Sequence, residues 1–208
     1  MIKNLVFDFG GVIVDLDKDN AIRQFKEIGV HNIEDYIGLY AQQGIFLEVE
    51  DGTIDEVTFC RNLSMLIDKE LAFEEVKNAW LAFIAGLDES KLDYIESLKN
   101  KYNLYILSNT NPFIQSWAQS SDFSSKERPL NDYFKKIYAS YEMGYIKPNR
   151  KIFELMVEDA HLIPSETLFI DDGESNITIA KEMGFKTYLA KNKEDWRDSI
   201  SKILELNK

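Results

Sequence analysis

The sequence predicts an α/β protein built on a doubly wound parallel sheet, with a helical subdomain inserted into it. Short apolar runs that end in small or acidic residues recur along the chain, and segments with helical spacing separate them. One long stretch, residues 18–85, has helical patterns and no convincing strand. We therefore expect residues 1–17 and 86–208 to form the sheet-containing core and residues 18–85 to form the insertion.

Five apolar runs are the predicted strands of the core. They cover residues 5–8, 104–108, 137–140, 168–171 and 187–189. Leu92, Ile95 and Leu98 recur at helical spacing before the second run, and residues 152–156 carry a similar pattern before the fourth. Parallel strands need crossover connections of this kind, so the alternation favours a parallel sheet.

The insertion contains four helical patterns separated by glycines. The patterns cover residues 21–28, 33–41, 54–67 and 73–83, and the glycines are Gly29, Gly44 and Gly52. The chain crosses between core and insertion near Asp17 and Leu87, and we expect these two positions to act as hinges.

Composition limits the partners of the chain. With 24 Lys and Arg against 36 Asp and Glu, the formal net charge of -12 disfavours nucleic acid, and no basic run opposes it. Cys60 is the single cysteine, so neither an intrachain disulfide nor a cysteine-based zinc cluster is expected. We find no signal-peptide pattern and no membrane span, and we expect a cytoplasmic protein. The sequence does not determine the oligomeric state.

Polar residues stand directly after three of the predicted strands. They are Asp8, Ser108, Asn109, Asp171 and Asp172. Any one of them could be a turn or a helix cap. Because ligands of such sheets bind outside the carboxyl ends of the strands, we expect the five to share one site.

Four ordered segments of the sequence carry a resemblance to a known family. They are residues 7–15 (FDFGGVIVD), residues 107–110 (LSNT), Lys147-Pro148, and residues 169–172 (FIDD) followed by Asn176. Together they resemble the motifs of the haloacid dehalogenase-like hydrolase superfamily, and the first segment is similar to that of helical-cap sugar-phosphate phosphatases of the glucose-1-phosphate type. The resemblance implies a Rossmann-like catalytic core with residues 18–85 as a helical cap.

The resemblance implies a magnesium-dependent phosphatase in which Asp8 attacks phosphorus and forms an aspartyl-phosphate. A carboxylate and a phosphate dianion about 3.5 Å apart repel by roughly 9 kcal/mol at an effective dielectric constant of about 20, so a cation is needed between them. The implied ligands of Mg²⁺ are Asp8, the backbone carbonyl of Gly10 and Asp172, with Asp171 as an additional or supporting carboxylate.

The remaining implied residues bind the phosphoryl group of a small phosphorylated metabolite. Ser108 and Asn109 would donate hydrogen bonds, and Lys147 would supply positive charge and act in catalysis. Gly11, with Gly10, would allow the backbone to approach the phosphate closely.

The chain departs from the family pattern at Gly10. Phosphatases of the superfamily usually place there a second aspartate, which protonates the leaving alcohol. The leaving group could instead be acidic, as in a sugar 1-phosphate, or Asp15 or a residue of the insertion could supply the proton. Catalysis could also be weak or absent. The ordinary role of an aspartate such as Asp15 is to cap the first inserted helix.

Several alternatives stay open from the sequence. A 2-haloacid dehalogenase would use the same aspartate on carbon without a metal, a non-catalytic protein would only bind phosphorylated ligands, and a phosphomutase is a further possibility. The cap residues that would face a substrate are not determined by the pattern, because aromatic residues at helical spacing more often belong to a core. The candidates are Phe46, Glu50, Asp51, Gly52, Trp80 and Phe83.

Overall fold

The computed structural model describes residues 1–38 and 42–207. Its strands are β1 (Asn4–Phe7), β2 (Val14–Leu16), β3 (Ile84–Leu87), β4 (Asn103–Ser108), β5 (Lys136–Ala139), β6 (Thr167–Asp171) and β7 (Lys186–Leu189). Its helices are α1 (Lys18–Glu27), α2 (Ile45–Glu50), α3 (Glu56–Leu66), α4 (Phe73–Leu81), α5 (Glu89–Leu98), α6 (Pro112–Ala118), α7 (Ser140–Met143), α8 (Arg150–Asp159), α9 (Glu174–Glu182) and α10 (Arg197–Leu206). Short 3-10 helices cover Ile33–Asp35, Ser121–Phe123, Leu130–Tyr133 and Pro164–Glu166.

Five strands form one parallel sheet in the order β5-β4-β1-β6-β7. This confirms the predicted α/β class and all five predicted core strands. The central strand β1 pairs with β4 on one side and with β6 on the other, and Phe7 lies opposite both Ile106 and Ile170. The polar residues that follow these three strands therefore emerge side by side.

Helices cover both faces of the sheet. Alternate side chains of each strand point to opposite faces, and each set packs against a different pair of helices. Leu5 and Phe7 lie in a cluster with apolar residues of α5 and α10. Val6, between them in sequence, lies in a second cluster with residues of α8 and α9. A strand that is buried on both faces has to be apolar throughout, as the predicted strands are.

Helices α1 to α4, which we call the inserted helices, have an aromatic cluster of their own. Phe46 contacts Phe25, Phe59 and Trp80, with ring centroids 5.0 to 5.4 Å apart. All four side chains are buried. Phe113 of α6 joins this cluster and thus links the inserted helices to the helix that follows β4.

The predicted helices of the insertion are confirmed in part. The patterns at residues 21–28, 54–67 and 73–83 correspond to α1, α3 and α4. The pattern at residues 33–41 yields only the 3-10 helix Ile33–Asp35, and residues 39–41 lie outside the described part of the chain. Helix α2 was not predicted. Gly44 precedes this helix, and the positive φ of Gly44, 55°, separates the helix from the segment before it.

The two crossings pair with each other, which the sequence analysis missed. Strands β2 and β3 form an antiparallel ribbon in which Asp15 lies opposite Gly86. The ordinary role given to Asp15 is wrong, because Asp17 caps α1 and accepts a hydrogen bond from the Asn20 amide at 2.9 Å. The sequences of the two strands, VDL and IAGL, contain an aspartate and a glycine, so neither forms the apolar run that marks the strands of the core. In the described residues no helix is long and apolar enough to cross a bilayer.

Candidate active site

Asp8 lies at the carboxyl end of the central strand and is 8% exposed. Its backbone N–H donates to the Ile170 carbonyl at 2.8 Å, which continues the pairing of β1 with β6. Its Oδ1 accepts a hydrogen bond from the Phe9 backbone at 2.6 Å. The carboxylate is therefore fixed by the backbone of its own turn.

Lys147 lies between two carboxylates. Its Nζ is 2.9 Å from Asp8 Oδ1 and 2.7 Å from Asp171 Oδ2, and its side chain is 1% exposed. Burial acts to lower the pKa of Lys147, but the ion pairs with Asp171 and Asp8 together raise it above its ordinary value. Lys147 is therefore charged, and it tethers the carboxylate at the end of β1 to the one at the end of β6.

Asp171 is fully buried and engaged on both oxygens. While Oδ2 accepts from Lys147, Oδ1 accepts from the Gly173 backbone at 2.7 Å and from the Asn176 amide at 2.9 Å. A carboxylate with so many donors is held in one orientation. This arrangement fits the supporting position predicted for Asp171 and leaves Asp172 as the freer carboxylate of the pair.

Asp172 approaches the turn after β1 because Gly11 has no side chain. A Cβ on Gly11 would lie 2.1 Å from Asp172 Oδ2, far inside van der Waals contact. Gly11 also has a φ of +73°, a backbone angle that residues with a side chain rarely adopt. Gly11 therefore makes room for a carboxylate, a role that differs from the predicted approach to a phosphate.

The three carboxylates form one cluster. Asp8, Asp171 and Asp172 each place an oxygen within 4.8 Å of the others. Burial raises the pKa of Asp8 to about 7, with Lys147 opposing the shift and Asp171 and Asp172 adding to it. Burial also raises the pKa of Asp172, as does the charge of Asp171. One lysine cannot balance three carboxylates, so the cluster fits a hard divalent cation that prefers oxygen ligands.

Ser108 and Asn109 follow β4, beside Asp8. The Asn109 amide donates to the Lys147 carbonyl at 2.9 Å and its Oδ1 accepts from the Lys147 backbone at 2.7 Å. Asn109 thus positions the backbone of the lysine, a contact that the motif alone did not reveal. Ser108 is 3% exposed and its hydroxyl lies 3.3 Å from the Asn109 carbonyl.

A cavity of about 260 Å³ opens beside these residues. Gly10, Ser108, Asn109 and Thr110 form part of its wall. A Cβ on Gly10 would lie 3.0 Å from the Leu16 side chain, so the position is already tight. The place at which the family carries a second aspartate is therefore occupied on one side by Leu16.

The inserted helices supply the opposite wall. Of the predicted candidates, Glu50, Trp80 and Phe83 line the cavity, whereas Phe46 lies behind them in the aromatic cluster. Asp51 and Gly52 are not in the wall. Two further polar residues of this wall, Lys18 and Gln42, were not predicted, because each lies outside any recognisable motif.

Asp15 does not line the cavity. Its Oδ1 lies 3.6 Å from the Nζ of Lys91, a lysine whose side chain is 3% exposed. Lys91 also donates to the Val12 carbonyl at 3.2 Å, and the Trp196 indole donates to the same oxygen at 2.8 Å. These contacts fix the turn after Asp8 to the core, and they hold Asp15 in the ribbon of β2 and β3, outside the cavity wall.

Comparisons with known proteins identify the family. A family model of haloacid dehalogenase-like hydrolases matches residues 2–184. A D-ribitol-5-phosphate phosphatase from Bacteroides thetaiotaomicron is 51% identical over 204 residues, which cover 98% of this chain and 99% of that protein.

Solved structures agree with this match. A HAD-like family hydrolase from Porphyromonas gingivalis has 44% sequence identity and a TM-score of 0.95 over 98% of each chain. A HAD family enzyme from Bacteroides thetaiotaomicron, solved with magnesium and inorganic phosphate, has 40% identity and a TM-score of 0.87 over 94% of this chain and 98% of its own. The chain therefore belongs to the haloacid dehalogenase-like hydrolase family.

Proposed function

We propose that the protein is a magnesium-dependent phosphatase that hydrolyses phosphorylated polyols or sugars. The observation that carries this proposal is the cluster of Asp8, Asp171 and Asp172, of which the first two are buried and paired with Lys147, beside a cavity of metabolite size. The similar phosphatase acts on D-ribitol 5-phosphate, and the similar magnesium-bound structure also contains phosphate. The name of the similar phosphatase makes a phosphate monoester of a sugar alcohol the first substrate to test.

In this proposal Asp8 is the nucleophile. A carboxylate oxygen of Asp8 forms a bond to phosphorus while the bond from phosphorus to the ester oxygen breaks, and the released alkoxide takes a proton from water to leave as the alcohol. Water then attacks the aspartyl-phosphate, which releases phosphate and restores the carboxylate. Ser108 and Asn109, next to Asp8 at the sheet edge, are the proposed donors to the phosphoryl oxygens.

Magnesium would be held by Asp8, Asp172 and the Gly10 carbonyl, with Asp171 fixed behind them by Lys147, Gly173 and Asn176. When bound, it neutralises the carboxylates and the phosphate that they face. Lys147 is proposed to hold Asp8 in place for attack and to add a second positive charge near the transferred group.

The inserted helices are proposed to act as a cap over the site, with residues 18–85 as cap and residues 1–17 and 86–208 as catalytic core. Their own aromatic cluster and the ribbon of β2 and β3 at the crossings support this division. Closure would exclude water from the cavity between the two parts. The acidic balance of the chain and its single cysteine support a cytoplasmic enzyme that binds small metabolites and not nucleic acid.

Phosphate release from D-ribitol 5-phosphate and D-glucose 1-phosphate, with Mg²⁺ or with a chelator, tests the function. We expect release from at least one ester with the metal, and a loss of about a thousandfold or more in Asp8→Asn because the nucleophile is removed. A dehalogenase would instead release halide from 2-haloacids without metal. Phosphate binding without turnover in the wild type would leave the non-catalytic alternative, and equal rates in both proteins would contradict the proposal.

A further inference from the structure

The cavity is lined by two sets of polar residues that differ in origin. Ser108, Asn109 and Thr110 come from the end of β4 and the loop that follows it. Gln42 and Glu50 belong to the insertion. The proposed chemistry uses the first set and assigns nothing to the second.

Glu50 is an unusual residue for that wall. It closes α2, is 9% exposed, and has apolar neighbours in the cavity wall such as Trp80 and Phe83. Within residues 1–38 and 42–207 it has no ion pair with Lys, Arg or His inside 4.0 Å. Buried carboxylates without a cationic partner are rare because the charged form loses its hydration.

The protonation state of Glu50 follows from its surroundings. Burial raises the pKa of its carboxyl to about 8, and Asp51 adds to the shift while the Gln42 side chain offsets part of it. At neutral pH the carboxyl therefore keeps its proton in most molecules. A neutral carboxyl offers one O–H donor and an acceptor oxygen, which suits a hydroxyl group.

Gln42 lies on the same side of the cavity and has an unused acceptor. Its Oε1 is buried and has no hydrogen-bond partner among the residues that the structure describes. A buried amide oxygen without a donor costs free energy, and an alcohol O–H in the cavity would satisfy it. The two side chains therefore offer complementary donors and acceptors to a hydroxylated ligand.

The rest of the wall fits the carbon skeleton of such a ligand. The apolar side chains of Phe9, Leu16, Ile114 and Ile146 also line the cavity. An aliphatic chain can pack against these side chains, while hydroxyl groups need the few polar atoms that the wall provides.

We propose that Glu50 and Gln42 bind hydroxyl groups of the leaving portion of the substrate and so select phosphate esters of polyols and sugars over plain alkyl phosphates. This inference rests on the proposed phosphatase function and makes Glu50 a specificity-determining residue. It differs from a role as the missing acid, in which Glu50 would protonate the ester oxygen of every alkyl substrate.

Two esters and three variants separate these roles. D-Ribitol 5-phosphate and n-pentyl phosphate have five carbons and a primary leaving alcohol, but only the first has further hydroxyl groups. Glu50→Leu removes hydrogen bonding, Glu50→Gln keeps a donor and an acceptor, and Glu48→Gln is a matched control. Glu48 lies on the same helix, two residues earlier, and is not in the cavity wall.

We expect Glu50→Leu to lower kcat/KM for D-ribitol 5-phosphate by about tenfold to a hundredfold more than it lowers kcat/KM for n-pentyl phosphate. Glu50→Gln should recover most of that loss, and Glu48→Gln should behave as the wild type does. Circular dichroism and thermal unfolding of each variant check that it is folded. If Glu50→Leu is not folded, the comparison of the two substrates is repeated with Gln42→Leu.

Two results would overturn the inference. In the first, both variants of Glu50 lose the same activity on the two esters, Glu50→Gln is as impaired as Glu50→Leu, and the loss is in kcat. This result would identify Glu50 as the proton donor. Unchanged ratios between the two esters in Glu50→Leu and Gln42→Leu would show that neither residue selects hydroxyl groups. An inactive wild type would instead contradict the proposed function itself, since the comparison needs a working phosphatase.

Discussion

Among single residues, the site depends most on Lys147, a buried lysine that is paired with the carboxylates of Asp8 and Asp171. Lys147 and Lys136 each make an ion pair at 2.7 Å, with Asp171 and Asp159 respectively. The first pair is at most 1% exposed, whereas both side chains of the second are about half exposed. The two ion pairs have the same length, but we expect them to contribute very differently to the stability of the protein.

Lys147→Met should lower the free energy of unfolding of the metal-free protein by about 3 kcal/mol or more, because it leaves two buried carboxylates without a cation. Lys136→Met is the matched control, and we expect a change of about 1 kcal/mol or less from it. Urea unfolding of both variants measures the difference. Similar small effects in the two variants would mean that burial does not strengthen the Lys147 pairs.

Gly11→Ala should weaken Mg²⁺ binding by roughly tenfold to a hundredfold, because the new Cβ displaces Asp172. Gly144→Ala is the control. Gly144 has nearly the same φ, +72° against +73°, but nothing lies within 4 Å of its Cβ position. Isothermal titration with Mg²⁺ should show the loss in Gly11→Ala alone. Equal affinities in the two variants would place the metal away from Asp172.

Glu50 makes stability depend on pH. Its folded pKa is about 8 and its ordinary value is 4.5, so the unfolded chain ionises first and wild-type stability falls as pH rises from 4.5 to 8. Glu50→Gln has no ionisable group at this position and lacks this loss. We expect the free energy of unfolding of the variant, relative to the wild type, to rise by at most about 4 kcal/mol between pH 5 and pH 9. Urea unfolding at both pH values measures the gain; a constant difference between the proteins would mean that Glu50 ionises normally.

At the scale of elements, the turn after α2 determines how closely the inserted helices approach the core. A Cβ on Gly52 would lie 2.0 Å from the Tyr141 carbonyl oxygen in α7, and Gly52 has a φ of +78°. The same turn follows Glu50, which faces the cavity. Close approach of this turn and the position of Glu50 are therefore linked.

Gly52→Ala should hold the turn away from α7 and lower kcat/KM for the phosphate ester by about tenfold or more, since the cavity no longer closes fully. Gly29→Ala is a control within the inserted helices. Its φ is also positive, +115°, but its Cβ would meet only flexible side chains, the nearer at 3.3 Å. Steady-state kinetics compares the two; equal activity would show that closure does not use the contact with Tyr141.

At the scale of the whole molecule, most of the sheet could be predicted because buried parallel strands must be apolar throughout. The runs around Val6, Ile106 and Ile170 satisfy that condition, and their ends gave the candidate residues. The ribbon of β2 and β3 could not be predicted, because Asp15 interrupts the first strand and Gly86 the second, so neither is a continuous apolar run. Helix α2 has six residues, too few for a helical period to be recognised.

The candidate site was predicted by motif, but its internal contacts were not. No residue pattern indicates that the Asn109 amide holds the Lys147 backbone, or that Gly11 makes space for Asp172. Such contacts join segments that are distant in sequence, and they depend on how the loops after β1, β4 and β6 meet. Glu50 became more than a candidate only when its burial and its place in the cavity wall were known.

The reaction proposed for this site requires a bond between the Asp8 carboxylate and phosphorus. Rapid acid quenching of the enzyme with Mg²⁺ and a substrate labelled at phosphorus, followed by peptide mapping, detects this bond. We predict that the label is found on the peptide that contains Asp8 and is absent from the Asp8→Asn variant. Label on a different residue, or wild-type turnover by Asp8→Asn, would show that Asp8 is not the nucleophile.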